Sequence, residues 1–110
     1  MKKNFRLEKD SIGNIEVPND AFWGAQTQRS IKNFSTGEEL IPIKLIHALT
    51  LIKKAAAIAN NNLGYLDQFK KDLITKSCND ILQGKFDSQF PLKIWQTGSG
   101  TQTNMNVNEV

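Results

Sequence analysis

Apolar and polar positions alternate near the start of this chain with the period of a β-strand. Phe5 and Leu7 alternate with charged residues, and Ile15 and Val17 alternate again after a polar turn. Residues 5–17 therefore predict a short two-stranded hairpin. A hairpin of this size is marginally stable alone, so we expect it to pack against other elements.

Residues 21–34 carry apolar side chains at spacings compatible with one face of a helix. These side chains are Phe22, Trp23, Ile31 and Phe34. Pro18–Asp20 stops the preceding strand and supplies candidate capping side chains for the helix. Gly24 lowers the helix propensity of the segment by about 1 kcal/mol. The polar residues 35–39 then predict a loop.

The clearest helical pattern runs from Pro42 to about Asn62. Its apolar positions form one continuous stripe, made of Leu45, Leu49, Ile52, Ala56, Ala59 and Leu63. Such a stripe is typical of an amphipathic helix, for which Pro42 suits the first turn and Gly64 the end.

A third helix is predicted from Leu66–Asp67 to about Gln83, where Gly84 stops it. Its apolar face consists of Phe69, Leu73, Ile74, Ser77, Cys78, Ile81 and Leu82. The short link between the second and third helices predicts an antiparallel αα-hairpin. The fold class is therefore mainly α, with a small N-terminal β-hairpin followed by three to four helices.

The chain after this hairpin of helices loses its clear periodicity. Residues 85–97 are predicted to be irregular, with three aromatic side chains filling the core beneath them: Phe86, Phe90 and Trp95. In the last segment, Met105 and Val107 alternate with asparagines in the period of a strand. A helix would instead place Asn104 and Asn108 on one face. Periodicity alone leaves both structures open.

The stretch Trp95–Val110 carries the candidate chemistry. Glycines flank Ser99, so the backbone there can turn sharply and approach a ligand closely. The hydroxyls of this stretch offer donors and acceptors, and it contains no Lys or Arg. If a helix starts near Thr101, its free N–H groups face this loop and favour a carboxylate or phosphate.

Three stretches resemble the N-terminal region of class II fumarases, which belong to the fumarase/aspartase superfamily. The stretches are Gly98–Asn106 followed by Asn108–Val110, Trp23–Ser30, and Phe90–Leu92 with Ile94–Thr97. They occur in the order and at the spacing of that family, and the likeness extends from about Phe5 to Val110. The resemblance favours a helix for the last segment. It also implies that residues 1–110 form a single domain, the N-terminal lyase domain of a longer enzyme whose central helical bundle and C-terminal domain are absent here.

The resemblance implies a hydro-lyase of the tricarboxylic acid cycle that adds water reversibly to fumarate to give (S)-malate. Ser99, Gly100 and Thr101 match the family's substrate-binding positions and are expected to contact a substrate carboxylate. The family's catalytic serine and histidine lie in later regions, so no catalytic residue is expected here and the 110 residues alone are expected to be inactive. No cofactor is implied. The enzymes of this family are homotetramers, and each of their active sites contains residues from three subunits.

Two other hypotheses remain open. An aspartase-type ammonia-lyase uses the same scaffold, but aspartases tend to show Gly-Val-His-Thr at Gly24–Thr27 and Gly-Gly-Ala-Gly at Thr97–Gly100, where this chain differs. A non-catalytic helical interaction domain, docking a partner through the Ala55–Ala57 face, is the hypothesis that composition alone favours. It predicts that no activity depends on Ser99 or Thr101.

Composition and charge argue against nucleic-acid binding, membrane insertion and secretion. The net charge of +3 is spread thinly, and lysine pairs such as Lys2-Lys3 are typical of solvated faces, which argues against nucleic-acid binding. No apolar run approaches the length of a membrane span, and no secretory signal pattern follows the first lysines. We therefore expect a cytoplasmic protein.

Five further polar or thiol side chains are candidates for chemistry or for support of the site. With one cysteine, Cys78, and one histidine, His47, the chain is expected to form no internal disulfide and no metal site. We expect Cys78 to be buried and His47 to face away from the apolar stripe. Arg29 either orients an anion or forms an internal salt bridge. Asn104 and Asn106 either support the site or satisfy buried backbone groups.

Overall fold

The computed structural model describes residues 4–110; the lysine pair Lys2-Lys3 lies outside the described residues. In chain order the elements are β1 (Phe5–Lys9), β2 (Asn14–Pro18), α1 (Ala25–Asn33), α2 (Ile43–Asn62), α3 (Gln68–Leu82), a 3₁₀ turn (Asp87–Gln89) and α4 (Thr101–Glu109). The predicted hairpin, the αα-hairpin and the final helix are confirmed. The contacts divide the chain into two compact units, which are described separately below. The single-domain interpretation of residues 1–110 stays a prediction.

The first unit consists of the chain up to Ile41 together with Ser88–Val110. In it, β1 and β2 pair antiparallel, and the side chain of Asp10 accepts hydrogen bonds from the turn amides of Ile12 at 3.0 Å and Gly13 at 3.1 Å. These bonds and the positive φ of Gly13, 143°, close the turn between the strands.

The two strands of the hairpin bury different kinds of side chain. Ile15 and Val17 of β2 are buried, whereas Phe5 and Leu7 of β1 are largely exposed. Arg6, the charged residue between Phe5 and Leu7, points inward instead. Its guanidinium donates to the carbonyl oxygens of three residues: Pro18 at 2.8 Å, Ala21 at 2.8 Å and Trp23 at 2.6 Å.

Helix α1 begins at Ala25, four residues later than the predicted start at Ala21. Arg6 explains the difference, because it occupies the Ala21 and Trp23 carbonyls that a longer helix would use for its own ladder. Ala21 and Ala25 instead join the buried strand residues in a small apolar core, against which Trp23 packs.

An irregular segment leads from the 3₁₀ turn to α4 and pairs with the loop after α1. The Ile41 amide donates to the Leu92 carbonyl at 3.0 Å, and the Ile94 amide donates to the Glu39 carbonyl at 2.9 Å. Phe90 is buried as predicted, but Trp95 is 60% exposed. The prediction that Trp95 fills the core was therefore wrong.

The second unit, Pro42–Asp87, is the helical hairpin of α2 and α3. Pro42 occupies the N-cap position of α2, and Gly64 follows its C-terminal end with a φ of 82°. Asp67 caps α3 by accepting a hydrogen bond from the Lys70 amide at 2.8 Å. Gly84, at a φ of 80°, ends this helix as predicted.

Helix α2 turns a different face inward from the one marked by its apolar stripe. Its buried residues are Ile46, Thr50 and Ala57, each one position after a member of the stripe, while Leu45 and Ile52 are exposed. The Thr50 hydroxyl donates to the Ile46 carbonyl at 2.8 Å, so burial leaves it satisfied.

Helix α3 buries only part of its predicted apolar face. Cys78 and Ile81 are buried, whereas Phe69, Leu73 and Ile74 are exposed. None of the helices described between residues 4 and 110 is long and apolar enough to cross a membrane.

Candidate functional site

Helix α4 begins with an open N-terminus beside the predicted loop. Gly100 occupies its N-cap position in the left-handed conformation, with a φ of 78° and a ψ of 0°, and makes no side-chain cap. The first intrahelical bond is donated by the Asn104 amide to the Gly100 carbonyl at 3.1 Å. The amides of residues 101–103 precede that bond and mark the positive end of the helix dipole.

Three exposed hydroxyls line the loop in front of this helix end. Ser99 Oγ donates to Thr101 Oγ1 at 3.2 Å, and Thr97 Oγ1 lies 3.4 Å from Ser99 Oγ. Since the single proton of Ser99 is used in this bond, the proton of the Thr101 hydroxyl stays free to point at a ligand. The structure thus brings Ser99, Gly100 and Thr101 together at a helix N-terminus, where the Thr101 hydroxyl and the free backbone amides are neutral donors suited to an anion.

The side chain of Gln102 ties this loop to α1. Its Oε1 accepts hydrogen bonds from both the amide and the hydroxyl of Thr97, at 2.8 and 2.7 Å. Its Nε2 donates to the hydroxyl oxygen of buried Ser30 at 2.5 Å. Sequence reasoning did not single out Gln102, because Ser30 lies 72 positions away in the sequence and leaves no local signal.

Two further side chains of α4 point into the first unit. The Thr103 hydroxyl donates to Gln96 Oε1 at 2.9 Å, and Gln96 in turn donates to the Lys93 carbonyl at 2.9 Å. Asn106 is buried and donates to the Gln89 carbonyl at 3.0 Å. This bond satisfies a backbone carbonyl, while the buried Oδ1 of Asn106 has no hydrogen-bond partner among the described residues; a supporting role at the site stays a prediction.

Glu109, at the other end of α4, caps α1 across the unit. Its carboxylate accepts hydrogen bonds from the Gln26 amide at 3.2 Å, the Thr27 amide at 2.7 Å and the Thr27 hydroxyl at 2.6 Å. A carboxylate is favoured here by the α1 dipole, and it approaches so closely that a Cβ on Gly24 would overlap it. The sequence has no local signal for this cap because Glu109 and Thr27 are 82 positions apart.

Arg29 is used within the fold. Its guanidinium makes a two-point salt bridge with Asp10, with Nε 2.9 Å from Oδ2 and Nη2 2.8 Å from Oδ1. Hydrogen bonding to Arg29, helped by the Ile12 and Gly13 amides, outweighs the opposing effect of burial and lowers the pKa of Asp10 to about 2. The pKa of Arg29 is raised in turn. The structure therefore shows the internal salt bridge, one of the two roles left open for Arg29.

The remaining titratable candidates lie in the helical hairpin. Cys78 is buried as predicted, and burial raises the pKa of its thiol, with Lys54 and Lys53 opposing the shift. His47 Nε2 lies 3.5 Å from an Asp87 carboxylate oxygen. Among residues 4–110, no three His, Cys, Asp or Glu side chains group in a way that could hold a metal ion.

A cavity of about 560 Å³ also lies in the first unit, beside the end of β2. Its lining consists of Asn4, Pro18, Asn19, Asp20, Ala21, Trp23, Ser88 and Gln89. None of these residues belongs to the Ser99 loop, so the cavity is not part of the hydroxyl cluster.

The sequence of this chain matches a known protein family over most of its length. A family model described as "Lyase" matches residues 13–110. The chain belongs to this lyase family. Within the family, it is 72% identical over its whole length to a protein named "Fumarate hydratase class II" from Prochlorococcus marinus subsp. pastoris, of which it covers 24%. It is 59% identical over 107 residues to a protein of the same name from Neisseria meningitidis, covering 97% of this chain and 23% of the relative.

Solved structures agree with the relatives. The family member described here superposes on a class II fumarase from Schistosoma mansoni with a TM-score of 0.94 and 45% identity, covering 96% of this chain and 22% of that one. A fumarate lyase:delta crystallin from Brucella melitensis gives 0.93 and 41%, covering 97% and 24%. The resemblance to class II fumarases is confirmed. The chain spans about a quarter of the length of the curated relatives it matches.

Proposed function

We propose that this chain is the N-terminal lyase domain of a class II fumarate hydratase, which adds water reversibly to fumarate to give (S)-malate. The observation that carries the proposal is the 72% identity, over all 110 residues, to a protein named for that activity. The neutral donor cluster at the start of α4 supports it, because the substrate is a dicarboxylate and the cluster suits a carboxylate.

In this proposal, Ser99, Gly100 and Thr101 bind one carboxylate of the substrate. The free proton of the Thr101 hydroxyl and the amides at the start of α4 point at its oxygens, and the Ser99 hydroxyl holds the Thr101 oxygen in place. Gly100 lets the backbone approach closely, since its φ of 78° is one that side-chain-bearing residues rarely adopt.

The same donors then stabilise the charge that develops during the reaction. In the dehydration direction, a base removes the C3 proton of malate, and the electron pair moves into the adjacent carboxylate to give an aci-carboxylate. The electron pair then returns to form the C2–C3 double bond as the C2–O bond breaks, and the C2 hydroxyl takes up a proton and leaves as water. Fixed donors around a carboxylate that gains charge lower the barrier most when they are already in place.

The rest of the active site comes from outside these 110 residues. We propose that the catalytic serine and histidine lie in later parts of the longer protein, that the enzyme works as a homotetramer in the cytoplasm, and that it uses no cofactor. The chain alone then has no hydratase activity, because it supplies substrate contacts without the group that moves the proton.

The test is to express the complete protein that carries this chain and to follow fumarate consumption with and without ammonium. Conversion to malate in water alone is expected. Consumption that requires ammonium would instead assign an aspartase-type ammonia-lyase, and consumption in neither condition would favour a non-catalytic helical domain. The isolated 110 residues serve as the control, and turnover by them would contradict the proposed division of the site.

A further inference from the structure

We propose that Gln102 is a positioning residue: its amide joins the Thr97 end of the hydroxyl loop to Ser30 of α1 and so fixes where the ligand-binding hydroxyls stand. The inference rests on the proposed carboxylate site, and it adds a residue that neither the sequence pattern nor the relatives' names assign. Gln102 itself touches no ligand in this account.

The orientation of the Gln102 amide is determined by its partners. The Thr97 N–H, 2.8 Å from Gln102 Oε1, can only donate and so requires the carbonyl oxygen, which also accepts the Thr97 hydroxyl proton at 2.7 Å. The NH₂ group is thereby directed to the Ser30 hydroxyl oxygen at 2.5 Å. The two bonds from Thr97 have lengths in the normal range and the contact to Ser30 is shorter, so the loop and α1 are held through one side chain.

Thr97 lies close to the hydroxyls that are proposed to bind the carboxylate, so a change in its position alters their surroundings. Its hydroxyl lies 3.4 Å from that of Ser99, which lies 3.2 Å from that of Thr101. Gly98 and Gly100 separate these residues, and glycines leave the loop backbone with the largest freedom to move. A glycine-rich loop needs hydrogen bonds from a side chain outside it to hold its donors in one geometry. Small misplacements of those donors reduce substrate affinity and reaction rate.

The other end of the tie is itself fixed. Ser30 is buried in α1, whose first turn is held by Glu109 from the last turn of α4. Helices α1 and α4 are thus joined by polar side chains at both ends of α4, at Gln102 and at Glu109. Directional hydrogen bonds allow less sliding than apolar contacts alone, so α1 provides a defined reference position for the loop.

The first experiment compares Gln102→Met with the wild-type complete enzyme. Methionine keeps the length of the side chain and removes all three hydrogen bonds. We expect the KM for fumarate to rise about tenfold, kcat to fall as well, and the melting temperature to stay near that of the wild type. Gln68→Met is the matched control: it removes the Gln68–Asp72 hydrogen bond on exposed α3 and should leave KM unchanged.

A double-mutant cycle with Ser30→Ala separates positioning from a general loss of stability. Ser30→Ala removes only the α1 end of the tie, so its KM should rise less, and adding it to Gln102→Met should change KM by less than about twofold. Independent, multiplying effects on KM, or a lower melting temperature at unchanged KM, would overturn the proposal.

Hydrogen exchange at the Thr97 amide tests the tie without substrate. Exchange in Gln102→Met should be at least about tenfold faster than in the wild type, and exchange in Gln68→Met should be unchanged. An unchanged Thr97 rate in Gln102→Met would overturn the positioning role even in an active enzyme. A wild-type protein that does not hydrate fumarate, with Thr97 protected as expected, would overturn the proposed function instead.

Discussion

Replacing Gly24 by alanine should open the N-terminus of α1 by displacing the carboxylate that caps it. Gly24 precedes α1 with a φ of −113° and a ψ of −152°, a conformation that alanine also adopts. The added Cβ would overlap the Glu109 carboxylate and come within 3.1 Å of its Cδ. The cost of the substitution therefore comes from a steric conflict with Glu109 and not from backbone strain.

The magnitude follows from the bonds that Glu109 would lose. Hydrogen bonds to a charged group contribute about 1.5–3 kcal/mol each, and Thr27, which donates two of them, is only 1% exposed. The carboxylate end is flexible and recovers part of this by shifting, and alanine restricts the unfolded chain by about 0.4–1 kcal/mol in the opposite direction. We expect a net loss of about 2 kcal/mol in the free energy of opening α1, or roughly 30-fold in the opening equilibrium.

Native-state hydrogen exchange at the Gln26 and Thr27 amides measures this opening directly. Gly98→Ala is the control, because no atom lies within 4 Å of a Cβ added there. In a Glu109→Ala background the conflict is gone, so Gly24→Ala should cost less than about 0.5 kcal/mol. An undiminished cost of 2 kcal/mol in that background would refute the steric explanation.

Three further predictions concern the salt bridge, the loop glycine and the thiol. Because the folded-state pKa of Asp10 is lowered to about 2, its ion pair with Arg29 stabilises the protein fully above the unfolded-state pKa of about 3.9, and this contribution is lost as the pH falls through about 2. Arg29→Gln should move the Asp10 midpoint upward in an NMR titration; an unmoved midpoint would contradict the assigned cause. Gly100→Ala should lose about 1 kcal/mol of stability in denaturant unfolding because of its positive φ, and Gly100→Asn less; equal losses would argue against the conformational origin. Cys78 should react slowly with iodoacetamide at pH 8 and rapidly in denaturant, since burial raises the pKa of its thiol; rapid reaction of the folded protein would contradict its burial.

The helices were predictable where their ends are marked locally. Asp67 and Gly84 bound α3 through contacts within a few residues, so capping rules identify them. The start of α1 is determined instead by Arg6, which takes the carbonyls before it, and by Glu109, which caps it from 82 positions away. Such distant partners leave no pattern in the neighbouring sequence.

The inward face of α2 could not be chosen from periodicity because apolar residues occur on more than one side. Leu45 continues the longest stripe, yet the buried positions start at Ile46 and include Thr50, whose hydroxyl bonds within the helix. The choice depends on which side α3 packs against, and that is a property of the tertiary structure.

The residues that form the candidate site were predictable from the sequence, while the hydrogen bonds that hold them in place were not. Glycines beside Ser99 and the helix start at Thr101 are visible in sequence, and the structure places them together. That Gln102 connects the loop to Ser30 depends on how α1 and α4 lie beside each other. The carboxylate-binding role of Ser99, Gly100 and Thr101 stays a prediction.

The most direct test of this role is the fumarate KM of the complete enzyme with Ser99→Ala, measured beside Ser11→Ala, which alters an exposed serine in the β-hairpin turn. Loss of a hydroxyl that supports the bound carboxylate should raise KM by roughly 10- to 100-fold in Ser99→Ala and leave Ser11→Ala at the wild-type value. An unchanged KM in both variants would contradict the assignment of the carboxylate site to the start of α4.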